Sequence, residues 1–426
     1  MLMQLLSAAL SGLRLGICPI GFVIVSALFA YRICESTGSM EKIRKTLGSI
    51  STDSTVMILL VVWGFGNFME GIAGFGTAVA IPAAILASIG IDPLRAVVLC
   101  LIANTASTAF GSVGVPALTL ARAADLNANE LVAFSAGAIA LVFGITPFLL
   151  VAFASGARGL LRRLPLTALV SATYAVPAYF IAVHWGPELP AIVGGLAVML
   201  VIACLHRRTS PADGISAREL LLAAAPFLCV IVFLAVYALL LPNAIKSRLT
   251  PGAVILLAAI LGGFIQRLGP RDLLRVLIAT LRGSLRALVI ICAILALARV
   301  LDTAHVISTV ANVLVAALGQ SYAFAAAAVG AFGGTLTGSG TSSNVLFGAL
   351  QRDAALQLGY NPLALAAANL LGSGIGKMIC PQSIAIGMAA VGLVGCEAKI
   401  LRKTLPWFVG VLLFACLACG LLAVCK

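Results

Sequence analysis

Charge is scarce in this sequence. Only 10% of its 426 residues are Asp, Glu, Lys or Arg, and only 14 of them are acidic. A soluble domain carries roughly a quarter charged residues, so a water-soluble globule is excluded. Histidine is scarcer still: His184, His206 and His305 are the only three. They lie in or beside loops and make no metal-ligand spacing. The cysteines are scattered through apolar stretches, and Cys416 and Cys419 form a lone Cys-x-x-Cys with no companion pair. They read as small buried hydrophobes. No nucleophile–base pair stands out either, so neither an enzyme nor a bound metal or cofactor is expected. Arg14 interrupts the first apolar run and no small-residue cleavage site follows, which argues against a cleavable leader.

What fills the chain instead is apolar. Hydrophobic residues make up 62% and the mean hydropathy is +1.15, values that belong to a polytopic membrane protein. Alternating apolar and polar residues, the signature of a membrane barrel, do not occur, so the fold is expected to be all-α. Apolar runs of bilayer-crossing length, about 17–25 residues, fall near 14–33, 96–117, 131–153, 166–184, 189–205, 220–241, 252–268, 278–299, 362–393 and 405–424. A shorter apolar stretch at 304–318 has no clear place among them.

The net charge of +13 does not point to nucleic acid, because the basic residues sit in short loops between apolar runs. The clusters are Lys42, Arg44 and Lys45; Arg158, Arg162 and Arg163; His206, Arg207 and Arg208; Arg267, Arg271 and Arg275; and Lys399, Arg402 and Lys403. This is the positive-inside pattern of cytoplasmic loops.

Two glycine- and hydroxyl-rich stretches interrupt the apolar background and resemble each other. The first runs from Phe65-Gly66 through Glu70-Gly71 to Gly74-Phe75-Gly76-Thr77; the second from Phe332-Gly333 through Gly338 to Ser339-Gly340-Thr341-Ser342-Ser343-Asn344. Each is trailed by a matching element, Gly90-Ile91-Asp92-Pro93-Leu94 or Gly359-Tyr360-Asn361-Pro362-Leu363, then by Ala103-Asn104 or Ala368-Asn369. With the basic loops held on one side, parity makes 55–90 enter and leave from the cytoplasm, and 321–358 enter and leave from outside. The expected fold is an inverted repeat with two re-entrant helical hairpins and two broken transmembrane helices, with about ten further spans. The corresponding organisation is 1–54, an N-terminal span and basic loop; 55–153, the first repeat; 154–275, central spans; 276–395, the second repeat; and 396–426, a C-terminal span.

Broken backbone at membrane depth must face protein or a wet cavity. The free N–H groups of a half-helix start favour an anion. Substrate-binding candidates are therefore Asn104 and Thr105 in the first broken span, Asn369 and Lys377 in the second, and Thr337, Ser339, Thr341, Ser342, Ser343 and Asn344 at the second hairpin. For isolated glycines, close helix packing is the competing explanation; for a run this rich in hydroxyls and amides, function is favoured. Glu70, the sole acid in the first hairpin, is the candidate proton-coupling residue, or alternatively a structural carboxyl bonded to hairpin backbone. Lys377 reads as a point charge facing an anion, or alternatively as a snorkelling lysine. Arg299 and Asp302 have the spacing of an i,i+3 ion pair.

At these residues the chain resembles the L-lactate permease family of bacterial monocarboxylate transporters. The matching stretches include Phe68-Met69-Glu70-Gly71-Ile72-Ala73-Gly74-Phe75-Gly76, Leu101-Ile102-Ala103-Asn104-Thr105, Thr341-Ser342-Ser343-Asn344, Gly376-Lys377-Met378-Ile379 and Pro381-Gln382-Ser383-Ile384-Ala385. The resemblance implies a symporter of the bacterial plasma (inner) membrane that moves protons with L-lactate, glycolate or another short 2-hydroxy acid. It also implies a mobile transport domain beside a scaffold, and a homodimer surrounded by membrane lipid. A sodium-coupled carboxylate carrier and a passive small-anion channel are the alternatives. The chain departs from the family in lacking some N-terminal spans, which suggests a short form or a truncated start. It also has Gly340 where an acid is usual, and Cys380 and Leu370-Leu371 in place of small polar residues.

Overall fold

The computed structural model describes residues 2–74, 76–105, 107–206, 216–239 and 249–425. Phe75, Ala106, Arg207 and Arg208 fall outside these, as does the side chain of Asp302. Among the described residues every regular element is helical. Seven helices are long and apolar enough to cross a membrane, or up to nine when each bent pair counts as one span, and three shorter apolar helices accompany them. The fold is that of an all-α, multi-pass membrane protein.

Most expected spans have helical counterparts. Ala128–Arg162, Leu164–Trp185, Pro190–Leu205, Pro251–Ile265 and Glu397–Val424 overlay the apolar runs closely. At the N-terminus the helix already begins at Leu2 and is kinked at Cys18. The unplaced stretch becomes the helix Val306–Leu318, which leads through a short turn into Tyr322–Thr337. Of the expected Arg299–Asp302 pair, Arg299 is seen to donate to the Arg122 carbonyl at 3.2 Å.

Both glycine-rich stretches fold as helix–break–helix hairpins. In hairpin 1 the arms are Ser54–Ile72 and Thr77–Ser88. Asp53 starts the first arm by accepting from the amides of Thr55 (2.9 Å) and Val56 (3.3 Å). The chain reverses at Gly76, whose φ of +88° is a conformation that side chains disfavour. In hairpin 2 the arms are Tyr322–Thr337 and Gly340–Leu358, joined at Gly338 with φ +66°. Ser339 caps the second arm, accepting from the Ser342 amide at 3.2 Å.

The two broken spans begin alike. Asp92 caps Pro93–Ala103 by accepting from Arg95 N at 2.8 Å, and Asn361 caps Pro362–Gly376 by accepting from Leu363 N at 2.9 Å. Each cap is followed by proline in the first turn, where its missing N–H does no harm. The repeat seen in the sequence is thus a repeat of local structure. The first span bends by 63° between Pro93–Ala103 and Ser107–Ala123. The second passes through a tight turn, Lys377–Ile379, into Pro381–Ala390. Proline forces the residue before it out of the helical region, and Cys380 is accordingly extended (φ −67°, ψ 130°).

Packing fixes these pieces together. A Cβ on Gly330, Gly334, Gly372 or Gly376 would run into backbone atoms across the contact, so hairpin 2's first arm lies backbone to backbone on broken span 2. The first arm of hairpin 1 is buried against protein from Thr55 to Ile72. Its Trp63 packs against Tyr174 and Phe143, with ring centroids 4.9 and 6.2 Å away. By contrast, Leu405, Val409, Leu413 and Leu417 of Glu397–Val424 are exposed, as an apolar lipid-facing surface requires.

Candidate functional site

The two hairpin tips and the two helix breaks converge on a cavity of about 250 Å³. Its wall carries Glu70 from hairpin 1; Thr108 and Ser112 from broken span 1; Thr337, Ser339 and Thr341 from the tip of hairpin 2; and Lys377, Gln382 and Ser383 from broken span 2. Polar side chains on every wall, in a chain this apolar, mark the cavity as the place where a hydrophilic solute can reside.

The strongest electrostatic feature of the wall joins Glu70, the expected proton site, to Lys377, the expected partner of the anion. Lys377 Nζ donates to Glu70 Oε1 at 2.9 Å, and the two side chains are 8% and 3% exposed. Asn104 stands beside them. With its amide oriented to satisfy both neighbours, its nitrogen donates to Glu70 Oε2 at 3.0 Å and its oxygen accepts from Lys377 Nζ at 3.3 Å. Two opposite charges and a bridging amide thus meet most of one another's hydrogen-bonding demands, as burial requires. Gly111 makes room for them: a Cβ there would come within 2.8 Å of Glu70 Oε1.

The remaining sequence candidates fall into two groups. Thr337, Ser339 and Thr341 line the cavity with Lys377. Of the others, Thr105, Ser343, Asn344 and Asn369 spend their side chains on protein partners, and Ser342 is buried without lining the cavity. Thr105 donates to the Ile102 carbonyl at 2.9 Å and Ser343 to the Gly330 carbonyl at 2.9 Å. The Ser342 amide is the donor to the Ser339 cap. Asn344 donates to the Pro116 carbonyl at 3.0 Å and accepts from Asn369 at 2.9 Å, while Asn369 accepts from Gln351 at 3.3 Å. Tyr322 closes this chain by donating to Gln351 at 3.0 Å. These amides bind hairpin 2 to both broken spans behind the cavity.

Four wall residues lie outside the set expected from sequence: Thr108, Ser112, Gln382 and Ser383. A signal was present for the last two. Pro381 announces a helix start, and the polar residues of its first turn, Gln382 and Ser383, are placed where a half-helix faces the break. Ser112 had no such signal, since its placement depends on three successive left-handed residues (φ 45°, 58° and 75° at Ser112, Val113 and Gly114) that put its hydroxyl 3.2 Å from the Ala73 carbonyl.

Paired interrupted helices around a buried polar cavity define the class as a polytopic membrane protein with a polar site inside its helical core. Solved structures share the fold: MtrF of Neisseria gonorrhoeae, described as one of a class of antimetabolite efflux pumps, aligns with a TM-score of 0.55 at 17% identity over 98% of this chain and 83% of its own. The YdaH transporter of Alcanivorax borkumensis gives 0.56 at 15% identity over 99% and 88%. Sequence gives the particular family. The L-lactate permease family profile matches residues 2–247 and 242–425. An L-lactate permease of Streptococcus iniae is 35% identical over 85% of this chain and 83% of its own length. The corresponding values for the L-lactate permease of Escherichia coli K12 are 32%, 97% and 85%, and for the glycolate permease GlcA of the same strain 32%, 93% and 83%. The chain belongs to the L-lactate permease family.

Proposed function

We propose that this protein is a secondary active symporter that carries L-lactate, glycolate or a related short 2-hydroxy monocarboxylate across the bacterial inner membrane with a proton. The buried Glu70–Lys377 pair on the cavity wall carries the reading. Membership of a family that includes lactate and glycolate permeases supplies the substrate class.

Charge balance gives the coupling. With the cavity empty, Glu70 carboxylate and Lys377 ammonium sum to zero. With a proton on Glu70 and a monocarboxylate in the cavity, the site again sums to zero. A monocarboxylate without the proton leaves one negative charge in a low-dielectric interior, and a proton without the anion leaves one positive charge. Uncompensated buried charge is costly, so only the empty and doubly loaded forms reorient readily. In this account Glu70 holds the proton, Asn104 keeps the pair aligned, and Lys377 with the tip residues Thr337, Ser339 and Thr341 faces the anion. Thr105, Ser342, Ser343, Asn344 and Asn369 hold the frame. Hairpins entering from opposite faces would let the cavity open to each side in turn.

Competition against labelled lactate in proteoliposomes, with and without a pH gradient and with sodium replaced by potassium, tests this directly. The proposal expects gradient-driven accumulation, competition by glycolate and no requirement for sodium. Failure of external lactate to drive counterflow of labelled lactate would instead indicate a channel.

A further inference from the structure

Two buried hydroxyls on the cavity wall are unclaimed by the protein. Thr341 and Ser383 are 8% and 7% exposed and both line the cavity. Of their neighbours on the wall, Gln382 is exposed, and most of the buried or half-buried ones are already engaged. Thr337 donates toward the carbonyls of Gly333 (2.8 Å) and Ser339 (3.0 Å), Thr108 donates to Asn104 O at 2.7 Å, Ser112 is bonded to Ala73 O, and Lys377 is held by Glu70. No hydrogen bond within the described residues engages the Thr341 or Ser383 hydroxyl.

Both residues belong to the first turn of a helix, Gly340–Leu358 for Thr341 and Pro381–Ala390 for Ser383. First-turn N–H groups have no acceptor in their own helix, and the dipole there favours negative charge. The two helix starts are neighbours, because the hairpin tip sits directly on the second one. A Cβ on Gly338 would fall 2.6 Å from Gln382 Oε1 and 2.9 Å from Cys380 Sγ. A cation cannot satisfy N–H donors, whereas a small oxyanion can.

We infer that Thr341 and Ser383, with the N–H groups of their two helix starts, are the direct ligands of the substrate carboxylate, and that Lys377 balances its charge without binding it. The inference rests on the cavity's being a monocarboxylate site. It separates the affinity element, the two helix starts, from the coupling element, the Glu70–Lys377 pair.

The test measures binding of lactate, propionate and acetate to the purified full-length protein by calorimetry, with thermal unfolding as a check on folding. Thr341→Val and Ser383→Ala are expected to weaken all three ligands about tenfold or more, the size of one charge-assisted hydrogen bond. The hydroxyl-retaining Thr341→Ser and Ser383→Thr are expected to restore binding. Unchanged affinity in well-folded Thr341→Val and Ser383→Ala overturns the inference. So does a loss confined to lactate, since the hydroxyls would then read the 2-hydroxyl and not the carboxylate. Wild-type binding of acetate without lactate would contradict the hydroxy-acid substrate while leaving the carboxylate ligands standing. Wild-type binding of no monocarboxylate defeats both.

Discussion

Lys377 and Glu70 are 307 residues apart in the chain and 2.9 Å apart in space. Their contact crosses the cavity's wall from the second broken span to the first hairpin, and so ties the two halves of the repeat to each other. Breaking such a buried pair from one side strands a charge, at a cost of about 3–5 kcal/mol, whereas replacing both partners by apolar groups is often nearly neutral. Lys377→Met is therefore expected to lower the thermal unfolding temperature in detergent, and Glu70→Leu with Lys377→Met to recover most of the loss. A double variant no more stable than Lys377→Met alone would show that the pair is not the source of the effect.

Gly111 supports the same pair by lacking a side chain. A Cβ there lies 2.8 Å from Glu70 Oε1 and 3.3 Å from its Cδ, so Gly111→Ala must displace the carboxylate. Overpacking of this kind costs about 1–3 kcal/mol. Lactate uptake by Gly111→Ala should fall well below that of wild type at equal membrane abundance; wild-type uptake would mean that the carboxylate position is not critical.

Asn369 is expected to behave differently from the cavity residues. Its amide links Asn344 to Gln351 behind the wall. Asn369→Leu takes the donor from Asn344 Oδ1 and one of two acceptors from Gln351 Nε2, which keeps the Ala326 carbonyl at 3.1 Å; the stranded Asn344 oxygen costs about 1–3 kcal/mol. The unfolding temperature should drop while the KM for lactate in counterflow stays near wild type. A large KM change in a protein of wild-type stability would return Asn369 to the binding site.

Asp53, at the mouth of hairpin 1, gives a pH-dependent stability term. Burial alone would raise its carboxyl, but the ion pair with Arg163 and the amides of Thr55 and Val56 outweigh that and hold it below the usual carboxylate range. A depressed folded value stabilises above the unfolded pKa, and the stabilisation is lost as pH falls through the folded one. Asp53→Ala should thus lower the unfolding temperature at neutral pH, by an amount worth about 1 kcal/mol for the lost cap. The gap to wild type should narrow below about pH 4. A gap that widens on acidification contradicts this assignment.

Much of the scaffold was legible in the sequence because its signals are local. Hydropathy located the spans, and Asp92-Pro93 and Asn361-Pro362 announce helix starts by capping chemistry that needs no distant partner. The hairpins were legible because glycine and hydroxyl clusters are costly to leave in lipid. The pairing of Glu70 with Lys377 was not legible: each stands out for its depth, but nothing in the chain encodes which ionisable groups meet across a separation of 307 positions. Nor does composition reveal direction. Ser343 and Asn344 lie two and three residues beyond Thr341 in the same polar run, yet they bond to Gly330 and Pro116 while Thr341 lines the cavity. The exit of 304–318 into hairpin 2 was hidden because a short apolar helix carries no charge to orient it.

The most direct test of proton coupling compares wild type with Glu70→Gln in proteoliposomes, measuring labelled lactate uptake driven by a pH gradient and, separately, lactate counterflow without one. Glutamine keeps the shape of the side chain and cannot exchange a proton. The account predicts that Glu70→Gln loses accumulation driven by the gradient and retains counterflow. Acidification-driven uptake that remains at the wild-type level in Glu70→Gln would contradict it.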